Sequence, residues 1–330
     1  MTLRLIEIYG ISEKQQEIES TLSNIIIYGI WQNVLPNDKR VTRILLDCKQ
    51  TESVLERFKE KYEGNEDFRI IVIPVEASLP RPDEKEIAEK DTNTKERLSI
   101  DELYQTIIEE ATVSKTFFSL VILASIVAAI GVLYNNVAVI IGSMVIAPFL
   151  GSSMALSLAT TLADKKLARE AVISGFSGYL IAIGIGIVFG ILFSIDPYAV
   201  EILSRTNVNL MYIILAFASG IAGSLSFTKG ISQALVGVIV AVALLPPLVV
   251  TGLLIGSMNW NHALGSFLLF SVNVVCINLA SVVTFLVQGI TPQKWWEKEK
   301  AKKSVRRSVL IWTITLFILI FLIVFYQIFG

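Results

Sequence analysis

Up to about residue 116 hydrophobic and polar positions alternate over short stretches, whereas beyond it the chain becomes a series of long apolar runs separated by a few polar residues. In the first part RLIEIYG, IIIYGIWQNVL, VTRILLDCKQ and FRIIVIPVEA carry the alternation and β-branched content of strands. SEKQQEIESTLSN and TESVLERFKEKYE read as helices between them. The order βαββαβ predicts a ferredoxin-like α+β domain over residues 1–80. Thr51 stands where a helix cap is expected, but Val54 occupies the position at which a capping box needs Glu or Gln, so the cap residue alone supports that helix start.

Residues 81–116 read as a connection. LPRPDEKEIAEKDTN is charged, contains proline and has little to bury. After it, Leu98, Ile100, Leu103, Ile107 and Ile108 recur at helical spacing with acids between them, which predicts an amphipathic helix leading toward a membrane. Its acidic face favours packing on protein over lying on lipid, where Lys and Arg are the usual polar residues.

The apolar runs fall at 117–134, 137–162, 171–194, 208–227, 231–256, 263–288 and 309–329. Each is near the roughly 20 residues that cross a bilayer, so a polytopic helical domain of about seven spans is expected. Residues 117–290 form its core, and residues 291–330 add a basic loop and one more span that is apolar around its whole circumference, hence peripheral.

Two of these runs carry their own breaker. VIIGSMVIAPFLGSSMALSL has Pro148 near its middle, and VIVAVALLPPLVVTGLLIG has Pro246 and Pro247 at the corresponding place. Proline has no amide hydrogen and its ring clashes one turn back, so the backbone groups it frees must be met by protein or by a water-lined cavity. Both runs exceed what a straight span needs, which favours unwinding at the prolines. Spans one to three and four to six then look like copies of one unit: a plain helix, a proline-interrupted helix and a Gly- or Asn-containing helix. Three spans is an odd number, so the second copy is inverted, and interrupted helices in matching halves point to a transporter-like core.

Composition sharpens this picture. Of 330 residues, 53% are hydrophobic and 17% charged, too apolar for one ordinary soluble domain. The net charge of -1 averages two unlike regions and gives no reason to expect nucleic acid as a partner. MTLRLIEIYG lacks the apolar run of a signal peptide, so the N-terminal domain is expected in the cytoplasm. Lys115, Lys165, Lys166, Arg169, Lys229, Lys294, Lys298, Lys300, Lys302, Lys303, Arg306 and Arg307 then share the cytoplasmic side, against Arg205 opposite, which places the C-terminus outside. Cys48 and Cys276 support neither a disulfide framework nor a thiolate site and read as packing residues.

The predicted spans contain no Asp or Glu, so proton coupling through a membrane carboxylate is not indicated. What remains for a solute or ion pathway is Ser143, Met144, Ala147, Pro148, Ser152, Ser153, Pro246, Pro247, Thr251, Asn273 and Asn278. Freed carbonyls can coordinate a cation and freed amides at a half-helix start can hold an anion, which leaves the sign of the ligand open. For Asn273 and Asn278 an interhelical hydrogen bond ranks slightly ahead of a ligand role. Asn135 and Asn136 can line a mouth, but a turn and a helix cap suit them better. His262 stands alone, with nothing at metal-ligand spacing, and no metal, cofactor or catalytic residue is expected.

YNNVAVIIGSMVIAPFLGSSMALSLA followed by DKKLARE, LLPPLVVTGLLIG followed by NVVCINLAS, and VIPVEASLPRP together resemble a prokaryotic membrane family known as a hydrophobic domain of unknown function, number three-eight-nine. The resemblance implies membership and carries no catalytic residues. The expectation from the residues is a transporter or channel for a small solute or ion, with a cytoplasmic regulatory or assembly domain. Its partners would be the bilayer, the solute and further copies of the chain. The alternative is a non-transporting oligomeric sensor or scaffold, in which Gly175, Gly178, Gly184, Gly186 and Gly190 form packing faces.

Overall fold

The computed structural model describes residues 3–11, 15–23, 25–34, 40–62, 65, 68–78, 97–206, 210–230, 233–291 and 295–329. Most of the charged connection read from the sequence lies outside them. The chain divides into two compact units, Met1–Leu103 and Tyr104–Gly330.

The first unit contains β1 (Leu3–Ile11), α1 (Gln15–Thr21), β2 (Ile27–Val34), β3 (Arg40–Asp47), α2 (Cys48–Tyr62) and β4 (Arg69–Val75), the element order expected from the alternation. The sheet order is β2-β3-β1-β4, with every neighbouring pair antiparallel. Ile6, Ile8, Ile44 and Leu46 point to one face and close a core with Ile18, Leu22, Val54 and Phe58 from the helical side. On β1 and β3, Glu7 stands directly opposite Arg43 and accepts a hydrogen bond from its Nε at 2.7 Å. The Tyr9 hydroxyl donates to the other Glu7 oxygen at 2.7 Å. These two hydrogen bonds, the Tyr9 one foremost, hold the Glu7 carboxyl below its ordinary pKa.

One boundary differs from the sequence reading. The second helix begins at Cys48, not at Thr51, because Asp47 supplies the cap: its Oδ1 accepts from the Lys49 N–H at 2.9 Å. Thr51 lies inside the helix, fully buried, with its hydroxyl unpartnered.

Helix α3 (Ile100–Ala111) starts with a capping box: Ser99 Oγ accepts from the Glu102 N–H at 3.3 Å, and a Glu102 oxygen accepts from the Ser99 N–H at 3.2 Å. Then follow α4 (Lys115–Leu133), α5 (Val137–Ile146), α6 (Phe149–Leu162), α7 (Lys165–Leu192), α8 (Val200–Thr206), α9 (Leu210–Lys229), α10 (Gln233–Gly256), α11 (Trp260–Val287) and α12 (Trp295–Phe329). Among the described residues, five helices are long and apolar enough to cross a membrane: α4, α7, most of α9, α11 and the Lys302–Tyr326 part of α12. A bent pair, α5 with α6, makes six if it counts as one span. Helix α10 is apolar over Val240–Gly256. Large side chains of α12 such as Phe317 and Phe321 are exposed, in keeping with a peripheral helix.

Helices α7 and α10 cross at glycines. Gly186 and Gly190 on one face Gly252 and Gly256 on the other, so closely that a Cβ on Gly186 would come 2.5 Å from the Val249 carbonyl oxygen. Among the glycines read as a packing face, Gly186 and Gly190 serve that role, whereas Gly184 has nothing within 4 Å of its Cβ position. Small residues at one-turn spacing let two backbones touch where side chains offer little extra attraction over lipid.

Candidate functional site

At the first proline the helix is broken as expected. Helix α5 ends at Ile146, Ala147 is extended with ψ 120°, Pro148 has φ -86° and ψ 42°, and α6 leaves at 53° to α5. Pro148 offers no N–H to the carbonyl of Met144, four residues back. The Ala147 N–H still reaches the Ser143 carbonyl at 3.2 Å, and the Ser143 hydroxyl donates to the Ile140 carbonyl at 2.6 Å. Ser143, Met144 and Ala147 are buried. Pro148 precedes α6 with no side-chain cap, and Phe149, Leu150 and Gly151, whose N–H groups open that helix, are buried.

The second proline site corrects the sequence reading. Pro246 and Pro247 are buried inside α10, which runs unbroken from Gln233 to Gly256. The neighbouring helix explains why. Without a Pro247 N–H, the carbonyl of Ala243 accepts instead from Asn273 Nδ2 on α11 at 2.8 Å. The Pro247 carbonyl accepts from Ser266 Oγ at 2.8 Å and from Thr251 Oγ1 at 2.7 Å. Of the two carbonyls that the prolines leave without a helical donor, that of Ala243 is thus met by a side chain within the protein.

Polar groups also gather where α6, α7 and α11 meet. Ser157 donates to Asn278 Oδ1 at 3.1 Å, and Asn278 Nδ2 donates to the Val274 carbonyl at 2.8 Å. The Tyr179 ring lies between neighbours on both other helices, 5.4 Å from the Phe149 ring and 4.9 Å from that of Phe270. The hydroxyls of Ser152 and Ser153 face the Tyr179 phenol. Ser152 donates to the Phe149 carbonyl at 3.1 Å, while Ser153 falls short of hydrogen-bond geometry. Ser153 Oγ, Ser174 Oγ and Asn273 Oδ1 are buried without a partner. Buried polar atoms are nearly always paired, so three orphans on adjoining helices mark an unusual locality.

Asn135 and Asn136 take the local roles that suited them better. Asn135 adopts a left-handed turn conformation at φ 49° and accepts from the Glu201 N–H at 3.2 Å. Asn136 caps α5 through a bond from the Val139 N–H at 3.2 Å. His262 packs edge-on against Tyr198 at 5.6 Å. Tyr179, Ser157 and Ser266 were not singled out from the sequence. A lone phenol in a glycine-rich span was the available signal for Tyr179, and Ser157 sits one turn beyond Ser153.

Outside the spans, Asp164 caps α7, accepting from the Lys166 and Leu167 N–H groups at 2.8 and 3.1 Å, and takes the Tyr104 hydroxyl at 2.7 Å. Burial lifts the Asp164 carboxyl, but the Tyr104 bond and the two backbone bonds outweigh it and hold its pKa below the ordinary value. Burial, reinforced by the bond to Asp164, pushes the Tyr104 phenol up to about 12.

The fold and its apolar helices define a multi-pass helical membrane protein with an N-terminal antiparallel-sheet unit. Residues 144–279 match the family described as "Domain of unknown function (DUF389)". "Uncharacterized protein MJ0678" of Methanocaldococcus jannaschii is 39% identical over 299 residues, which cover 90% of this chain and 92% of that protein. The chain belongs to the DUF389 family. The matched segment takes in the break at Pro148, the proline pair, Asn273 and Asn278. No solved structure matches the chain.

Proposed function

We propose that this protein is a transporter or channel for a small solute or ion, and that the segment around Pro148 lies on its pathway. The observation that carries this reading is the broken α5–α6 helix, together with three buried polar atoms without partners on α6, α7 and α11. An uncapped helix start inside an apolar bundle has unpaired polarity that a solute can meet. In this reading α4, α5–α6 and α7 form one half of an inverted repeat and α9, α10 and α11 the other, with a proline in the second position of each. The halves then divide the labour: the Pro148 half stays open, and the Pro247 half is closed by Asn273. The positive-inside rule supports a cytoplasmic N-terminal unit, regulating or assembling copies of the chain, with the C-terminus outside.

Purified protein in liposomes, tested for flux of inorganic ions and small metabolites, examines the proposal. Protein-dependent flux sustains it, and none across a broad panel overturns it. The second reading, a non-transporting sensor or scaffold, is favoured by the tight α7–α10 glycine crossing and by the Asn273 bond that takes the carbonyl freed by Pro247. It predicts an assembled oligomer and no flux.

A further inference from the structure

Contacts along α6 and α11 recur at matched intervals. Ser157 bonds Asn278, and two turns earlier on both helices Phe149 and Phe270 close on the same Tyr179 ring. The two helices therefore run side by side in the same direction, and Ser153 and Asn273 fall at one level between these contacts. Both residues are 3% exposed, and Ser153 Oγ and Asn273 Oδ1 have no partner. The Asn273 amide nitrogen is committed to Ala243 at 2.8 Å, so its oxygen is the free end, an acceptor that needs a donor. The Ser153 hydroxyl can both give and accept, and it faces the Tyr179 phenol.

We propose that this level, between Ser153, Asn273 and Tyr179, binds an uncharged small solute of the amide or alcohol kind, which donates to Asn273 Oδ1 and exchanges a hydrogen bond with Ser153. The lining decides the class. Helix α6, α7 from Ala171 onward and α11 from Ala263 onward contain no charged side chain, so an anion finds no cation there. A bare cation asks for about six oxygen ligands and would sit beside the positive end of α6. Aromatic rings at the same level as a few polar atoms suit a small organic molecule. This inference rests on the transport reading only for the route by which the solute arrives.

Two measurements test it. Equilibrium dialysis of radiolabelled acetamide or glycerol against the full-length protein in nanodiscs reports binding, and liposomes challenged with the same solutes, sodium chloride or sodium phosphate report flux. Saturable binding of acetamide or glycerol is expected, weakened about tenfold by Ser153→Ala as one hydrogen bond is lost. Ser153→Thr, which keeps the hydroxyl, retains most of the affinity and shows that the site tolerates substitution. No saturable binding of either probe, or binding unchanged in Ser153→Ala, overturns the site. Salt flux without binding of the neutral probes overturns the site and leaves the transport reading standing. Acetamide binding with no flux of any solute sustains the site and removes the transport reading.

Discussion

Asn273 Nδ2 lies 2.8 Å from the carbonyl oxygen of Ala243, the residue four positions before Pro247. A side chain from α11 thus replaces the backbone donor that proline lacks, and α10 continues where its sequence gives reason to break. Asn273→Leu leaves that buried carbonyl without a partner and is expected to lower stability by about 1–3 kcal/mol. Pro247→Ala restores an amide at that position, so Asn273→Leu should cost less on that background. Unfolding of the wild type, both single variants and the double variant checks this. Strict additivity would show that the two residues do not act on one carbonyl.

The glycine crossing gives a position-by-position prediction. A Cβ on Gly190 falls on the Leu253 carbonyl and one on Gly252 on the Ile183 carbonyl, while one on Gly184 meets nothing within 4 Å. Gly190→Ala and Gly252→Ala should each destabilise by about 1–3 kcal/mol through overpacking. Gly184→Ala should be neutral or stabilise by up to about 1 kcal/mol, because alanine is the better helix former. Thermal midpoints of the three variants decide, and equal effects would contradict the crossing.

Stability should vary with pH through Tyr104 and Asp164. Because the folded Asp164 carboxyl sits below its ordinary value of 3.8, its contribution is present above that pH and is lost as pH falls through the lower folded value. The Tyr104 phenol is raised from 10 to about 12, so its contribution is intact below pH 10 and fades as pH rises toward about 12. Asp164→Ala should lower stability at neutral pH by roughly 1 kcal/mol through loss of the α7 cap and flatten the acid limb. Tyr104→Phe should flatten the alkaline limb. Thermal midpoints across pH for the three proteins test the pair. Unchanged limbs in both variants would contradict it.

Local signals made much of this structure readable in the sequence. The alternation in the first eighty residues gives the β and α elements in order, and Asn136 caps α5 as an Asn before an apolar helix should. The break at Pro148 follows from proline chemistry and flanking small residues. The continuity of α10 does not, since the residue that replaces the missing donor, Asn273, is supplied by the next helix, 30 positions from the carbonyl it serves. Asp47 was hidden for a different reason: it ends a strand and caps a helix at once, and the strand pattern ran past it. Tyr179 gains its significance from two aromatic neighbours on other helices, a relation that no spacing along the chain displays.

In the proposed pathway, solute or water reaches the polar level of Ser153 on α6. Cysteine accessibility reads this directly: Ser153→Cys in a Cys48→Ala, Cys276→Ala background, in sealed proteoliposomes, exposed to a membrane-impermeant thiol reagent. Modification at this position is expected, from at least one side, to be faster than for Ala182→Cys, a fully buried position on α7. Modification no faster than at Ala182 would mean that the level is dry and closed, and would contradict the pathway.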